Sequence, residues 1–229
     1  MYSPSGTWSI TTDRNQFQPS QPSIAALLRD EAKYNTFMAG KYHLGGTIPL
    51  KGSKQLNYTH LLTGMDHDWA RPLIGGAQDI GFTESFITTG GIQSRPYAWL
   101  HNGLLEFNQS DAFYWKNGSY ATPIGISEIP EGRNGEGDPY WDSSAYNQIL
   151  VNKTAEFIDL HLDKRPEDPM FMYLALGSVH SPHTPPYKYM NGPPIAGEHP
   201  TKHMDMLKEM DYVVGSLVSI IEEKGLGEL

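Results

Sequence analysis

A lysine and a histidine two positions apart, Lys41 and His43, stand inside the run Ala39-Gly40-Lys41-Tyr42-His43-Leu44-Gly45-Gly46, directly after the strand-like Tyr34-Asn35-Thr36-Phe37-Met38. On an extended segment, side chains two apart share a face, so this ammonium and this imidazole can jointly hold an anion. Gly40 and Gly45-Gly46 let a ligand come close to the backbone, or let the chain turn sharply behind it. An ordinary strand end with a solvent-facing lysine has the same pattern. A second polar turn, Gly177-Ser178-Val179-His180-Ser181-Pro182-His183-Thr184-Pro185-Pro186, follows the apolar run Met170-Phe171-Met172-Tyr173-Leu174-Ala175-Leu176. Both histidine-bearing turns are therefore expected at the C-terminal ends of strands, where open α/β sheets bind their ligands.

Other spacings point to less. His180 and His183 are three apart and His199 and His203 four apart, which could suggest zinc. Pro182 and Pro200 interrupt the regular helix such pairs would need, and no carboxylate motif accompanies them. Asp66-His67-Asp68 looks like a metal cluster but reads equally as a polar loop. No G-x-S-x-G elbow supports a serine hydrolase.

The elements that must carry these residues follow from periodicity. Ser23 reads as the N-cap of a helix over residues 24–33, with Ile24, Leu27, Leu28 and Ala32 on one buried face. The strand into Lys41 follows directly. Residues 46–139 are rich in Gly, Pro, Asn, Asp and aromatics and predict loops, short strands and turns, an extent of irregular chain that suggests a functional rim. A second helix is expected over residues 143–162 with Ile149, Ala155, Ile158 and Leu162 inward. The run from Met170 to Leu176 has the length and continuity of a buried parallel strand. A last helix is expected over residues 202–224, with Leu207, Met210, Val214, Leu217 and Ile221 at heptad-like spacing and Gly225 as its C′ residue. The order helix, strand, excursion, helix, strand, helix predicts an α/β fold, a mostly parallel sheet flanked by helices.

With 229 residues the chain can form one sizeable domain or two small ones. Its formal charge of −9 and lack of any basic run argue against a nucleic-acid surface. It has no cysteine, which excludes disulfides, thiolate metal sites and a cysteine nucleophile among these residues. No apolar stretch reaches the length of a membrane span, and the N-terminus lacks the pattern of a signal peptide. Against that stand N-x-S/T sequons at Asn57, Asn108, Asn117 and Asn152, which favour a glycosylated protein of the secretory pathway. Residues 1–22, polar with prolines at 4, 19 and 22, read as an irregular lead-in, and residues 23–229 as the folded unit.

Several blocks, in order, resemble the sulfatase family of the alkaline-phosphatase-like superfamily. Ser23 to Gly46 is similar to the family's helix, strand and G-K-W-H-L-G segment, with Tyr42 in place of Trp. Asp68-Trp69-Ala70-Arg71-Pro72 and Gly81-Phe82-Thr83-Glu84-Ser85-Phe86 resemble its G-F-D loop block. Arg95-Pro96-Tyr97 to His101-Asn102-Gly103 resembles P-Y-x-x-x-x-N-G. Pro169 to Pro182 is similar to P-F-F-L-Y-L-A-x-x-x-x-H-x-P, arylsulfatase B-like members being especially close at Val179-His180-Ser181-Pro182. His203 to Leu226 resembles the helix with Asp-x-x-V-G, here Asp211-Tyr212-Val213-Val214-Gly215.

The resemblance implies hydrolysis of a sulfate ester, on a sulfated carbohydrate or small molecule. In the family a cysteine in C-x-P-S-R becomes a formylglycine whose hydrate attacks sulfur, and a calcium ion held by Asp and Asn oxygens supports the anion. It also implies that Lys41 and His43 contact the sulfate or the nucleophile and that His180 lies against the ester, with His183 the alternative to His180. A lysosomal or extracellular location goes with the family. The departures are the missing cysteine, the missing acidic pair upstream, and the missing D-H/N-G block and second lysine downstream. Tyr2-Ser3-Pro4-Ser5-Gly6 is only a distant echo of C-x-P-S-R. These imply a partial alkaline-phosphatase-like catalytic domain over residues 23–229, lacking N- and C-terminal portions, without calcium ligands and inactive alone. A non-catalytic binder of sulfate or another anion, and a phosphoryl-ester hydrolase relative of the same superfamily, are the alternatives.

Overall fold

A computed structural model of the chain describes residues 21–49, 51–52, 56–58 and 67–227. Nearly all of the lead-in over residues 1–22, and Asp66 of the Asp66-His67-Asp68 run, lie outside them. The helices are α1 (Ile24–Ala32), α2 (Tyr146–Lys164) and α3 (Lys202–Glu223). The strands in chain order are β1 (Asn35–Lys41), β2 (Thr47–Pro49), β3 (Leu56–Tyr58), β4 (Glu84–Thr88), β5 (Leu100–His101), β6 (Leu104–Leu105), β7 (Phe113–Trp115), β8 (Gly118–Ala121), β9 (Ile126–Ile129), β10 (Gly135–Gly137) and β11 (Met170–Ala175).

Five strands form the central sheet in the order β11-β1-β4-β5-β6. The strand β1 runs parallel to both neighbours, with Gly40 opposite Ala175 and Lys41 opposite Thr88, while β5 and β6 add an antiparallel edge. The rest of the excursion makes three two-stranded ribbons, β2–β3, β7–β10 and β8–β9. The expected α/β fold with a mostly parallel sheet is what the chain adopts.

Period-two alternation sends side chains of the sheet to two cores. Phe37, Ala39 and Phe86 join Trp99, Trp141, Tyr146 and Phe157 on the α2 side, where the Phe37 and Phe157 rings stack at 4.2 Å. Met38, Ile87 and Leu100 join Ala25, Tyr42, Leu73 and Phe82 on the α1 side. A sheet covered on both faces is the ordinary setting of parallel strands.

Several expected details differ. Ser23 does cap α1, its hydroxyl accepting from the Ala26 N–H at 2.9 Å, but Ile24 and Leu27 are exposed, Ala32 is exposed too, and Ala25 is the buried residue. The helix packs through its small side chains because Gly81 comes so close to Ala26 that a Cβ there would collide with its backbone. The strand β11 is partly exposed throughout and Tyr173 is open to solvent, because β11 is the last strand of the described sheet and not a buried one. The central strand β4 escaped the apolar-run criterion, since its buried positions include Ser85 and Thr88.

The helix α2 starts at Tyr146, three residues beyond Ser143, after a turn in which Asp142 Oδ1 accepts from the Ser144 and Ala145 N–H groups at 2.9 and 3.3 Å. Its buried face is Tyr146, Asn147, Leu150, Val151, Thr154, Phe157, Ile158 and His161; of the expected set only Ile158 is fully buried. In α3 the bounds agree but the buried face is Asp205, Met206, Glu209 and Val213, with Val214 exposed. Both helices were read from apolar spacing, and both bury polar side chains that belong to the site.

Candidate functional site

The parallel pairings bring three strand ends together. From β1 the chain leaves at Lys41, and the next two N–H groups continue the ladder: Tyr42 donates to the Thr88 carbonyl and His43 to the Thr89 carbonyl, each at 2.9 Å. Lys41 and His43 are thus held along the end of β4. They are not an extended pair with side chains on one face, however, because His43 has φ +43°, a left-handed conformation that ends the alternation. The shared-face expectation for Lys41 and His43 is corrected on that ground.

The Lys41 stem crosses Gly91, whose φ is +78°. A Cβ built on Gly91 would lie 3.0 Å from Lys41 Cδ and 3.0 Å from Gln93 Oε1, so the absence of a side chain there makes room for both. Two buried oxygens in this neighbourhood, Thr89 Oγ1 and Gln93 Oε1, have no hydrogen-bond partner among the described residues. Buried polar atoms are rarely left so, and their clustering around a cationic strand end marks a place where a polar ligand can complete the bonding.

The first turn of α2 braces two of these strand ends at once. The Tyr146 hydroxyl meets Thr88 Oγ1 at 2.8 Å, and the same Thr88 oxygen accepts from the Gly91 N–H at 3.1 Å. Burial pushes the Tyr146 phenol far above its ordinary pKa, so it stays a neutral hydroxyl. The Tyr146 ring also packs against Gly177, where a Cβ would approach it to 2.8 Å. Next to it, Asn147 Oδ1 accepts from the Gly177 N–H at 3.1 Å and Asn147 Nδ2 donates to Ser178 Oγ at 2.6 Å.

Ser178 Oγ in turn donates to Glu209 Oε2 at 3.2 Å, tying the turn after β11 to α3. Glu209 is 2% exposed, and its Oε1 has no partner among the described residues. Burial pushes its carboxyl up to about 7, against the opposing pull of Asn147 and Ser178. Near neutral pH it is therefore substantially protonated.

The turn held this way presents His180. That residue is exposed, its N–H donates to the Gly177 carbonyl at 3.2 Å, and its ring Nδ1 lies 2.6 Å from the Ser181 carbonyl. A carbonyl can only accept, so Nδ1 carries the proton and Nε2 is the nitrogen available to a ligand. His183 belongs elsewhere. It lines a separate hollow with Thr184, Tyr187, His199 and the start of α3, and its ring meets His203 edge-on at 5.1 Å.

Three of the sequons, at Asn108, Asn117 and Asn152, lie on the surface of the excursion and α2. Asn117 and Asn152 are exposed. The Asn108 side chain accepts from the Ser110 N–H at 3.2 Å, and Asn57 lies in β3. Among the described residues no group of three or more His, Asp or Glu side chains could hold a metal ion. No helix of the structure is long and apolar enough to cross a membrane.

The glycine-framed strand ends single out Lys41, His43 and His180 as candidates in the sequence. No motif in the sequence singles out Asn147, Glu209, Tyr146, Thr89 or Gln93, which the structure places around those strand ends. The one signal that pointed to Asn147 and Glu209 was their place one helical turn or less from buried apolar residues, where a polar side chain has to find partners.

The profile of the sulfatase family matches residues 2–228. No curated protein matches the chain. A solved structure from a study of "metabolism of multiple glycosaminoglycans by Bacteroides thetaiotaomicron" (BT33336S-sulf) is similar over 92% of this chain and 44% of its own, at 22% identity and a TM-score of 0.65. A structure of Ps i-CgsB in complex with k-i-k-neocarrahexaose is similar over 91% of this chain and 38% of its own, at 17% identity and a TM-score of 0.48. The chain spans less than half the length of either structure.

Proposed function

The chain belongs to the sulfatase family, and we propose that it supplies one half of a sulfate-ester site, in which Lys41, His43 and His180 receive the sulfate group of a sulfated carbohydrate. The observation that carries this is the register of Gly40 with Ala175 and of Lys41 with Thr88. It makes the lysine-bearing and histidine-bearing strand ends neighbours at one end of a parallel sheet, where ligands of such sheets bind.

In this arrangement the Lys41 ammonium offsets charge on the sulfate oxygens, charge that grows when the ester bond breaks. His180, with Nδ1 committed to the Ser181 carbonyl, meets an ester or sulfate oxygen through Nε2, donating when the ring is protonated. The N–H groups of Tyr42 and His43 are spent on β4, so this half of the site binds through side chains. The unpartnered Thr89 and Gln93 oxygens take bonds from hydroxyls of the sugar or from groups that complete the site.

The family's nucleophile derives from a cysteine, and these 229 residues hold none. The activity proposed for them is therefore binding, with sulfuric ester hydrolysis the activity of the family. A carbohydrate is the favoured carrier of the sulfate because the glycosaminoglycan system of the Bacteroides neighbour concerns such compounds. Calcium and a secretory location remain expectations of the family resemblance.

Calorimetric titration of the chain with a sulfated disaccharide, its unsulfated counterpart and a phosphate monoester tests the proposal. Selective binding of the sulfated sugar, weakened at least tenfold by Lys41→Ala, is expected. Equal binding of the unsulfated sugar, or a Lys41→Ala variant that binds like the parent, would overturn it. Preference for the phosphate monoester would move the chain to the phosphoryl-ester branch.

A further inference from the structure

His183, Thr184, Tyr187, His199, Lys202 and Asp205 line a hollow of about 290 Å³ at the start of α3, at the small end of the range for ligand pockets (about 300–1,000 Å³). We propose that this hollow is a second oxyanion site, separate from the one at Lys41, and that it takes a sulfate group carried by another unit of the same glycan. The identity of that ligand rests on the reading of the chain as a binder of sulfated carbohydrate. The site itself rests on the hollow.

The first ground is an unsatisfied group. Thr184 is 3% exposed and its Oγ1 has no hydrogen-bond partner among the described residues. A hydroxyl buried without a partner is destabilising, and a bound oxyanion would offset that by accepting a hydrogen bond from it.

The second ground is the charge balance of the walls. Asp205 is the carboxylate facing the hollow, and its oxygens are already engaged: Oδ2 accepts from the Gly197 N–H at 2.8 Å, and Oδ1 from the His199 N–H at 2.9 Å and from His199 Nδ1 at 3.1 Å. Burial works to raise the Asp205 carboxyl, but these three bonds outweigh it and hold the group below its ordinary value of 3.8. It thus stays ionised, and it fixes the His199 tautomer with Nε2 left over. Glu198 is turned to Lys208, 3.9 Å away. What remains along the lining to meet a ligand is the His199 ring, the His183 ring and the cationic Lys202 side chain.

The third ground is the helix. The 22 residues of α3 begin here, with Thr201 Oγ1 accepting from the Met204 N–H at 3.3 Å. Its N-terminal partial charge adds to the same sign. Tyr187, half open to solvent, offers an aromatic wall for the sugar that carries the anion.

The test is an NMR titration of the full chain with sodium sulfate, at ionic strength held constant with chloride, following the ring resonances of His183, His199, His43 and His180. Saturable shifts of His183 and His199 are expected. Lys202→Ala, a change at an exposed position, and Thr184→Val should each weaken them at least fivefold while leaving the His43 and His180 shifts in place. Lys41→Ala should do the reverse. Immobile His183 and His199 resonances, or Lys202→Ala and Thr184→Val variants that respond like the parent, would overturn this site, whatever His43 and His180 do. Movement of His183 and His199 with His43 and His180 silent would uphold it and sink the Lys41 site instead. A repeat with a disulfated disaccharide separates a glycan subsite from a site for free sulfate: tighter binding than sulfate alone, lost in Lys202→Ala, is expected, and equal affinity would confine the hollow to the free ion.

Discussion

Gly40 and Ala175 lie opposite each other across the β1–β11 pairing with no room for a side chain between them: a Cβ on Gly40 would run into the Ala175 carbonyl. Gly40 also has φ +102°, a conformation that residues with a Cβ avoid. The close approach of these two strand ends is what sets the Lys41 and His180 segments side by side.

Gly40→Ala is therefore expected to destabilise the chain by more than about 2 kcal/mol, combining backbone strain with a steric clash against main chain. Sulfate affinity should fall with it, since both site-bearing strand ends must shift apart. Urea denaturation gives the first quantity and calorimetry the second. A variant as stable as the parent would show that β1 and β11 can part without cost.

That glycine was visible in the sequence as part of the frame around Lys41, and the reason it could be read is that backbone constraint leaves a residue-type mark. The α/β fold was visible for a similar reason, because the three helices have runs long enough to show a period and β11 is a continuous apolar run ending in a polar turn. The strand β4 left no such mark: only five residues long, it buries Ser85 and Thr88, whose hydroxyls are bonded within the fold. The site's bracing was hidden for the opposite reason. Asp205 and Glu209 lie on the side of α3 turned away from Leu207, Met210, Val214, Leu217 and Ile221, which heptad-like spacing assigns to solvent, and only tertiary partners make their burial and that of Asn147 tolerable. His43 shows a third limit, since its positive φ goes with the continuation of the ladder past β1, in which its own N–H and that of Tyr42 pair with Thr89 and Thr88, and its residue type alone does not mark it.

Glu209 gives the chain a pH dependence whose sign can be stated. Its carboxyl ordinarily titrates at 4.5 and is pushed up to about 7 by burial in the folded chain. Between those values the folded state holds a proton that the unfolded state has released. Stability from this group is thus complete below about pH 4.5 and declines as pH rises through 7, by about 3 kcal/mol in all. Glu209→Gln keeps an oxygen for the Ser178 hydroxyl and removes the titration. The variant should match the parent near pH 4 and exceed it by up to about 3 kcal/mol at pH 8, read from urea denaturation at each pH. A constant difference across that range would place the titration elsewhere.

Asn147 separates the two strand ends experimentally. Its side chain satisfies the Gly177 N–H and Ser178 Oγ but carries no bond to Lys41 or His43. In Asn147→Ala the buried Gly177 N–H loses its acceptor, at a cost of about 2–3 kcal/mol. The His180 ring resonances should shift strongly while those of His43 hardly move. Asn147→Asp keeps an acceptor but sets a second carboxyl beside Glu209, so its loss of stability should be larger at pH 8 than at pH 5. Equal disturbance of His43 and His180 in Asn147→Ala would mean that the two turns move as one body.

Asp205 carries the opposite pH sign. Its folded-state value lies below the ordinary 3.8, so its contribution is present above pH 3.8 and is lost as pH falls through the lowered value. The carboxylate accepts three bonds, from the Gly197 and His199 N–H groups and the His199 ring. In Asp205→Asn the amide oxygen can serve only the donors on one side, and the NH2 is set against the donor or donors on the other. A loss of about 2–4 kcal/mol at pH 7 is expected from charged bonds of this kind, shrinking as both chains are taken toward pH 3. Because Asp205 also fixes the His199 tautomer, the variant should lose sulfate-induced shifts at His183 and His199 even under conditions where it is fully folded. Retention of those shifts in the folded variant would mean that His199 is oriented by the loop backbone and not by the carboxylate.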